Sequence, residues 1–133
     1  LKIIQVTGLP GAGKTTAVNK ILTNSFNPVD FCYLDIAALS GPDRENRLIS
    51  LAIQQTKNVI IESACGLLLT PSYVLRLQPP LLSVYRQLAG RDKQVDEDYL
   101  SQLHEQMVPA HAIVKSSDEL VEALLILLRS SNA

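Results

Sequence analysis

Gly8-Leu9-Pro10-Gly11-Ala12-Gly13-Lys14-Thr15 is the stretch on which the reading of this chain turns. It matches G-x-x-x-x-G-K-[ST] at every fixed position. A loop of this kind curls so that successive backbone N–H groups converge on phosphate oxygens, and glycine permits both the dihedrals and the close approach. The spacing predicts that Gly8 to Thr16 holds the phosphates of a nucleoside triphosphate, with Leu9, Pro10, Gly11, Ala12 and Gly13 supplying backbone. Lys14 would bridge the β- and γ-phosphates, and the Thr15 hydroxyl would coordinate Mg²⁺.

The flanking sequence gives the loop its context. Lys2 to Thr7 (KIIQVT) reads as a strand entering it, and Thr15 to Thr23 as a helix leaving it. That helix would add unpaired N–H groups and the positive end of its dipole. Beyond the turn cluster Asn24 to Pro28, strands are expected at Phe31–Ile36, Asn58–Ser63, Ser72–Leu77 and Ala112–Val114. The unbroken Val59-Ile60-Ile61 fits a strand covered on both faces. Helical patterns run from the Ser40-Gly41-Pro42-Asp43 break to near Lys57, and over Leu81–Ala89, Asp96–Met107 and Ser117–Arg129. Ser116 with Glu119 makes a capping box for the last helix. Alternating strands and helices predict one doubly wound α/β domain over residues 1–133, a parallel sheet with helices on both faces.

Composition narrows the function classes. Hydrophobic residues make up 47% and charged residues 19% of 133 positions, enough apolar surface for a packed core. A net charge of −1 gives no electrostatic case for a nucleic-acid partner, though Arg86, Arg91 and Lys93 could form a local basic patch. The longest strongly apolar run, Ala123 to Leu128, is far short of a membrane span, so no membrane partner is expected. Cys32 and Cys65 lack metal-ligand spacing and read as buried free thiols, which suits a cytoplasmic protein. His104 and His111 read as surface residues, and Tyr33, Tyr73, Tyr85 and Tyr99 as packing residues.

The segment GLPGAGKTT at Gly8 to Thr16 resembles the first loop of the P-loop kinases, the group of adenylate, shikimate, adenylylsulfate and zeta-toxin-like kinases. The resemblance implies a P-loop NTPase fold, a five-stranded parallel sheet in the order 2-3-1-4-5, with ATP and Mg²⁺ as cofactors. It also implies roles at strand ends. Asp35 (YLDIA) would face the acceptor and hold or deprotonate its hydroxyl, or else cap the strand end. Glu62 (VIIES) would hold a magnesium-bound water, in place of the aspartate commoner there, with Ser63 lending it a hydrogen bond. Arg86 and Arg91 (VYRQLAGR) resemble lid arginines that stabilise a transferring phosphoryl group. Arg76, inside a strand pattern, would pair with a carboxylate or lie at the strand's mouth.

The guanine-reading N/T-K-x-D motif is absent, which favours adenine. The short segment Ala37 to Lys57 and a modest lid-like region at about residues 78–109 favour a small-molecule acceptor over a second nucleotide. The expectation is a small ATP- and Mg²⁺-dependent kinase with Lys14, Asp35, Arg86 and Arg91 as its catalytic residues. A nucleotide-dependent switch with weak or no transfer activity is the alternative, suggested by Glu62 and by the apolar last helix.

Overall fold

In the computed structural model, residues 3–9, 12–23, 30–90 and 97–130 are described. Five parallel strands form the sheet: β1 (Ile3–Thr7), β2 (Cys32–Asp35), β3 (Val59–Glu62), β4 (Tyr73–Leu77) and β5 (Ala112–Val114). Their order is β2-β3-β1-β4-β5, so β1 is central, and the loop that follows it leaves from the middle of the sheet. Helices α1 (Lys14–Leu22), α2 (Arg44–Ile53), α3 (Leu81–Gly90), α4 (Glu97–Gln106) and α5 (Ser117–Ser130) complete the fold. No described helix is long and apolar enough to cross a membrane.

The two-residue side-chain period of the strands divides the core. Ile4 and Val6 of β1, Ile60 of β3, and Leu75 and Leu77 of β4 pack with Ala17, Val18 and Ile21 of α1 and with Leu120, Leu124 and Leu128 of α5. Val59 and Ile61 point the other way, to Leu48 and Ala52 of α2 and to Leu67. Ile60 and Ile61 are both 0% exposed, which is what the unbroken apolar run of a central parallel strand requires. Each such side chain contributes roughly 1.5–3 kcal/mol through burial. A third cluster joins Val84 and Leu88 of α3 to Leu100 of α4, with Leu9 of the loop packed against it.

Two departures from expectation have local causes. Helix α2 stops at Ile53 instead of continuing to Lys57, because Gln54-Gln55-Thr56-Lys57 offers no apolar side chain to bury. A single turn of 3₁₀ helix, Ile36–Ala38, follows β2, and Asp35 Oδ1 starts it by accepting the Ala37 N–H at 3.0 Å. The capping box before α5 forms, with Ser116 Oγ accepting from the Glu119 N–H (3.2 Å). Glu119 reaches back one residue further than the motif predicts, accepting from the Lys115 N–H at 2.8 Å. Both cysteines are free but only half-buried.

Gln5 is the polar exception within β1. It is 0% exposed, accepts the Leu67 N–H (2.7 Å), and donates to Leu67 O (3.0 Å) and Ser72 Oγ (2.9 Å). The central strand thereby holds the segment after β3 that forms one wall of the site.

Candidate active site

The loop after β1 is set by two glycines. Gly8 has φ 150°, and a Cβ there would lie 2.5 Å from the Leu77 carbonyl oxygen of β4, so no other residue fits against that strand. Its N–H donates to Ala64 O at 3.1 Å, tying the loop to the end of β3. Gly13 is the N-cap of α1 with φ 102°, a left-handed conformation, and it gives the helix no side-chain cap. The first turn of α1 contains no acidic residue. Its N–H groups, which lack intrahelical partners, and its positive dipole end therefore stay available to an anion. Pro10 and Gly11 lie outside the described residues.

Lys14 and Thr15 open α1 and meet the ends of β2 and β3. The Lys14 ammonium donates to Gly8 O, and no carboxylate among the described residues makes an ion pair with it. Burial lowers its pKa, against the opposing charges of Glu62, Asp35 and Cys65. A half-buried cation lacking a contact counter-ion suits a site that receives phosphate.

Glu62 is 4% exposed, and each of its oxygens is satisfied. Thr15 Oγ1 donates to Oε1 at 2.9 Å, and the Tyr33 hydroxyl donates to Oε2. A threonine hydroxyl has one hydrogen and two lone pairs. With its hydrogen given to Glu62, Thr15 keeps lone pairs for a cation, so the residues present fit Mg²⁺ held by Thr15 and, through water, by Glu62. No group of three or more His, Cys, Asp or Glu among the described residues could hold a metal without other ligands. Ser63 does not support Glu62 as expected; its hydroxyl accepts the Gly66 N–H at 3.0 Å instead.

These groups surround a cavity of about 250 Å³ lined by Gly13, Lys14, Thr15, Asp35, Arg44 and Glu62, with Ala12, Ile36, Ala37, Ser63 and Ala64. Asp35 is half-buried; it starts the turn after β2 and also lines the cavity. Asp35 and Glu62 are register partners on neighbouring strands, which is why they arrive together. Arg86 is not brought here: it is exposed on α3 and absent from the cavity lining. Arg91 lies outside the described residues. Arg76 pairs with no carboxylate; its Nη2 donates to Val108 O at 2.8 Å, and its Nε has no hydrogen-bond partner among the described residues.

Two site residues escaped sequence reasoning. Tyr33 was expected only to pack, and it does pack against the β1/α1/α5 core, yet its hydroxyl meets Glu62. Burial first, then Glu62 and Asp35, raise its pKa, so the hydroxyl stays a neutral donor. The available signal was its position two residues before Asp35, on the same face of β2. Arg44 lacked even that, since its place depends on where α2 begins.

A larger cavity of about 670 Å³ is bordered by Leu9, Pro79, Pro80, Tyr85, Leu100 and Lys115, together with His104 and neighbours on α3 and α4. It is bigger than the first cavity but lacks Lys14, Thr15 and both strand-end carboxylates, so the reactive groups lie elsewhere.

No protein-family model matches the chain, and no curated protein matches it in sequence. Solved structures do match in fold. A shikimate kinase from Acinetobacter baumannii in complex with shikimate superposes with a TM-score of 0.61 at 17% identity, covering 98% of this chain and 94% of that one. A shikimate kinase from Bacteroides thetaiotaomicron gives a TM-score of 0.63 at 16% identity, covering 96% and 98%. The order 2-3-1-4-5, the all-parallel sheet and these full-length superpositions together establish that the chain has the P-loop kinase-like NTPase fold seen in shikimate kinases.

Proposed function

We propose that this protein is an ATP- and Mg²⁺-dependent phosphotransferase acting on a small hydroxyl-bearing acceptor. The observation that carries the reading is the placement of Lys14, Thr15, Glu62 and Asp35 around one cavity, with Thr15 bonded to Glu62 at 2.9 Å. A phosphate loop alone would support only nucleotide binding. A carboxylate across the cavity from the lysine adds a group able to handle an acceptor proton.

In this reading the phosphates lie against the N-terminus of α1, neutralised by Lys14, while the nucleoside extends past Leu9 towards the larger cavity. The cation, held by Thr15 and through water by Glu62, would offset negative charge on the phosphate oxygens. Asp35 would accept the acceptor's proton as its oxygen bonds to the γ-phosphorus and the bond from that phosphorus to the β–γ bridging oxygen breaks, releasing ADP. Arg44 would supply the positive charge that orients an acceptor carrying an anionic group. Positioning and charge stabilisation account for most of such catalysis, so no unusually reactive side chain is needed. Arg86, exposed and away from the cavity, is left out of the reading.

The test is ADP release from purified protein, ATP and Mg²⁺ across a panel of small alcohols, sugars and hydroxy acids. Asp35→Asn should lower acceptor-dependent release by about 10²–10⁴-fold while leaving ATP affinity within about twofold. ATP binding without transfer to any acceptor would instead favour a nucleotide-dependent switch.

A further inference from the structure

Glu62 has one methylene, and so one rotatable bond, more than an aspartate in the same place would have. A carboxylate with that freedom, at the end of a buried strand, needs a second point of attachment to present one defined oxygen to the cation end of the site. Thr15 provides the first, at Oε1. Tyr33 provides the second, at Oε2. The partly buried Tyr33 ring packs against the core formed by β1, α1 and α5, which holds its hydroxyl on a rigid ring rather than a mobile chain.

Strand register explains how the pair meets. Tyr33 is opposite Ile60 and Asp35 opposite Glu62, so Tyr33, Asp35, Ile60 and Glu62 share one face of the sheet. From one register step behind, the long tyrosine side chain brings its hydroxyl forward to the Glu62 carboxylate.

We infer that Tyr33 is a positioning residue that fixes the Glu62 carboxylate, so that Glu62 and Thr15 form the magnesium end of the phosphate site. The inference rests on the nucleotide-binding reading above and adds to it a residue with no role in the phosphate loop. Tyr33 acts through Glu62 and has no contact of its own with nucleotide. Its removal therefore affects the metal dependence of binding, and nucleotide binding without metal stays as it was.

The experiment measures ATP affinity by calorimetric titration, with Mg²⁺ and with EDTA, in wild type, Tyr33→Phe, Glu62→Gln and the double variant. Tyr33→Phe keeps the ring in the core, and the thermal midpoint without ligand checks that it has folded. The expected result is an about tenfold fall in the Mg²⁺-to-EDTA affinity ratio in Tyr33→Phe, as for loss of a group that orients a metal-site carboxylate. Affinity in EDTA should be unchanged, and adding Tyr33→Phe to Glu62→Gln should lower the ratio no further. An unchanged ratio in Tyr33→Phe overturns the inference and leaves the kinase reading standing. Equal losses with and without metal, or the same loss in the Glu62→Gln background, overturn it as well by making Tyr33 a packing residue. If wild type shows no metal-dependent ATP binding, the kinase reading itself falls and the inference with it.

Discussion

Replacing Lys14 by methionine separates the phosphate role of this residue from any part it plays in holding the fold. Methionine is flexible and close in length, so it can follow the same path without the charge. In the ligand-free protein two effects oppose each other. The variant removes a cation whose burial costs free energy, and it also removes that cation's attraction to Glu62 and Asp35 and its hydrogen bond to Gly8 O. Neither carboxylate loses a contact ion pair, and both Glu62 oxygens keep their hydroxyl donors. The ligand-free stability should therefore stay within about 1 kcal/mol of wild type, which for 133 residues is about 4 °C in thermal midpoint. With ligand the two proteins diverge. At a nucleotide concentration one hundred times its Kd, wild type gains about 2.7 kcal/mol. At an unfolding entropy of about 0.28 kcal/mol/K for this length, that is a rise of about 10 °C. The variant should show little or none of that rise. Differential scanning fluorimetry with and without ATP and Mg²⁺ reads both numbers. A variant that keeps the nucleotide-dependent rise would refute the phosphate role. A ligand-free midpoint more than about 10 °C below wild type would refute the claim that the lysine is dispensable to the fold.

Gly8→Ala puts a Cβ 2.5 Å from Leu77 O at a positive φ and should destabilise the protein by about 2–4 kcal/mol in urea unfolding. Gln5→Leu keeps the volume roughly but leaves the Leu67 N–H without its partner, while the Leu67 carbonyl keeps the Leu69 N–H at 2.9 Å, at a cost of about 1–3 kcal/mol. Amide exchange at Leu67 should accelerate more than at Ser63, whose N–H remains bonded to the Val6 carbonyl. The lowered Lys14 pKa has a definite sign of pH dependence. Between its folded value and the ordinary lysine value of 10.5 the unfolded chain binds more protons, so the ligand-free protein gains stability as pH rises through that window. Phosphate beside Lys14 restores its charged form, so ATP binding within that window should take up a proton. Titration calorimetry in two buffers of different ionisation heat would detect this, and the uptake should vanish in Lys14→Met.

What could be read from the sequence was what local rules govern. The phosphate loop is contiguous, so its pattern is complete within eight residues, although Gly8 also answers to Leu77 on the distant β4. The five strands were legible because apolar runs such as Val59-Ile60-Ile61 are bounded by turn residues. The strand order came from the resemblance of the loop to the P-loop kinases, since no pattern along the chain encodes which strand lies beside which. Asp35 and Glu62 were found as strand ends, but their meeting depends on the β2–β3 register. The Tyr33–Glu62 hydrogen bond needs that same register plus a ring orientation, and Gln5 looked like an interruption until its three bonds to the distant segment at Leu67 and Ser72 were in place. Arg86 went the other way: an arginine beside an expected turn gives no information about which side of α3 it occupies, and the helix leaves it in solvent.

The two ends of the fold meet at Gly13. Ser117 Oγ donates to the Gly13 carbonyl at 3.1 Å, Lys20 pairs with Asp118 at 2.9 Å, and α5 packs along α1 through Leu120 and Leu124. Ser117 and Gly13 are 104 positions apart. During synthesis, the phosphate loop therefore emerges before α5 and lacks this support until that helix docks behind it. A nascent chain stalled before Ser117 would expose β1 and the inner face of α1 together, an apolar surface of the kind that chaperones bind. Competence for nucleotide would then arrive in one step, when α5 docks, not by degrees.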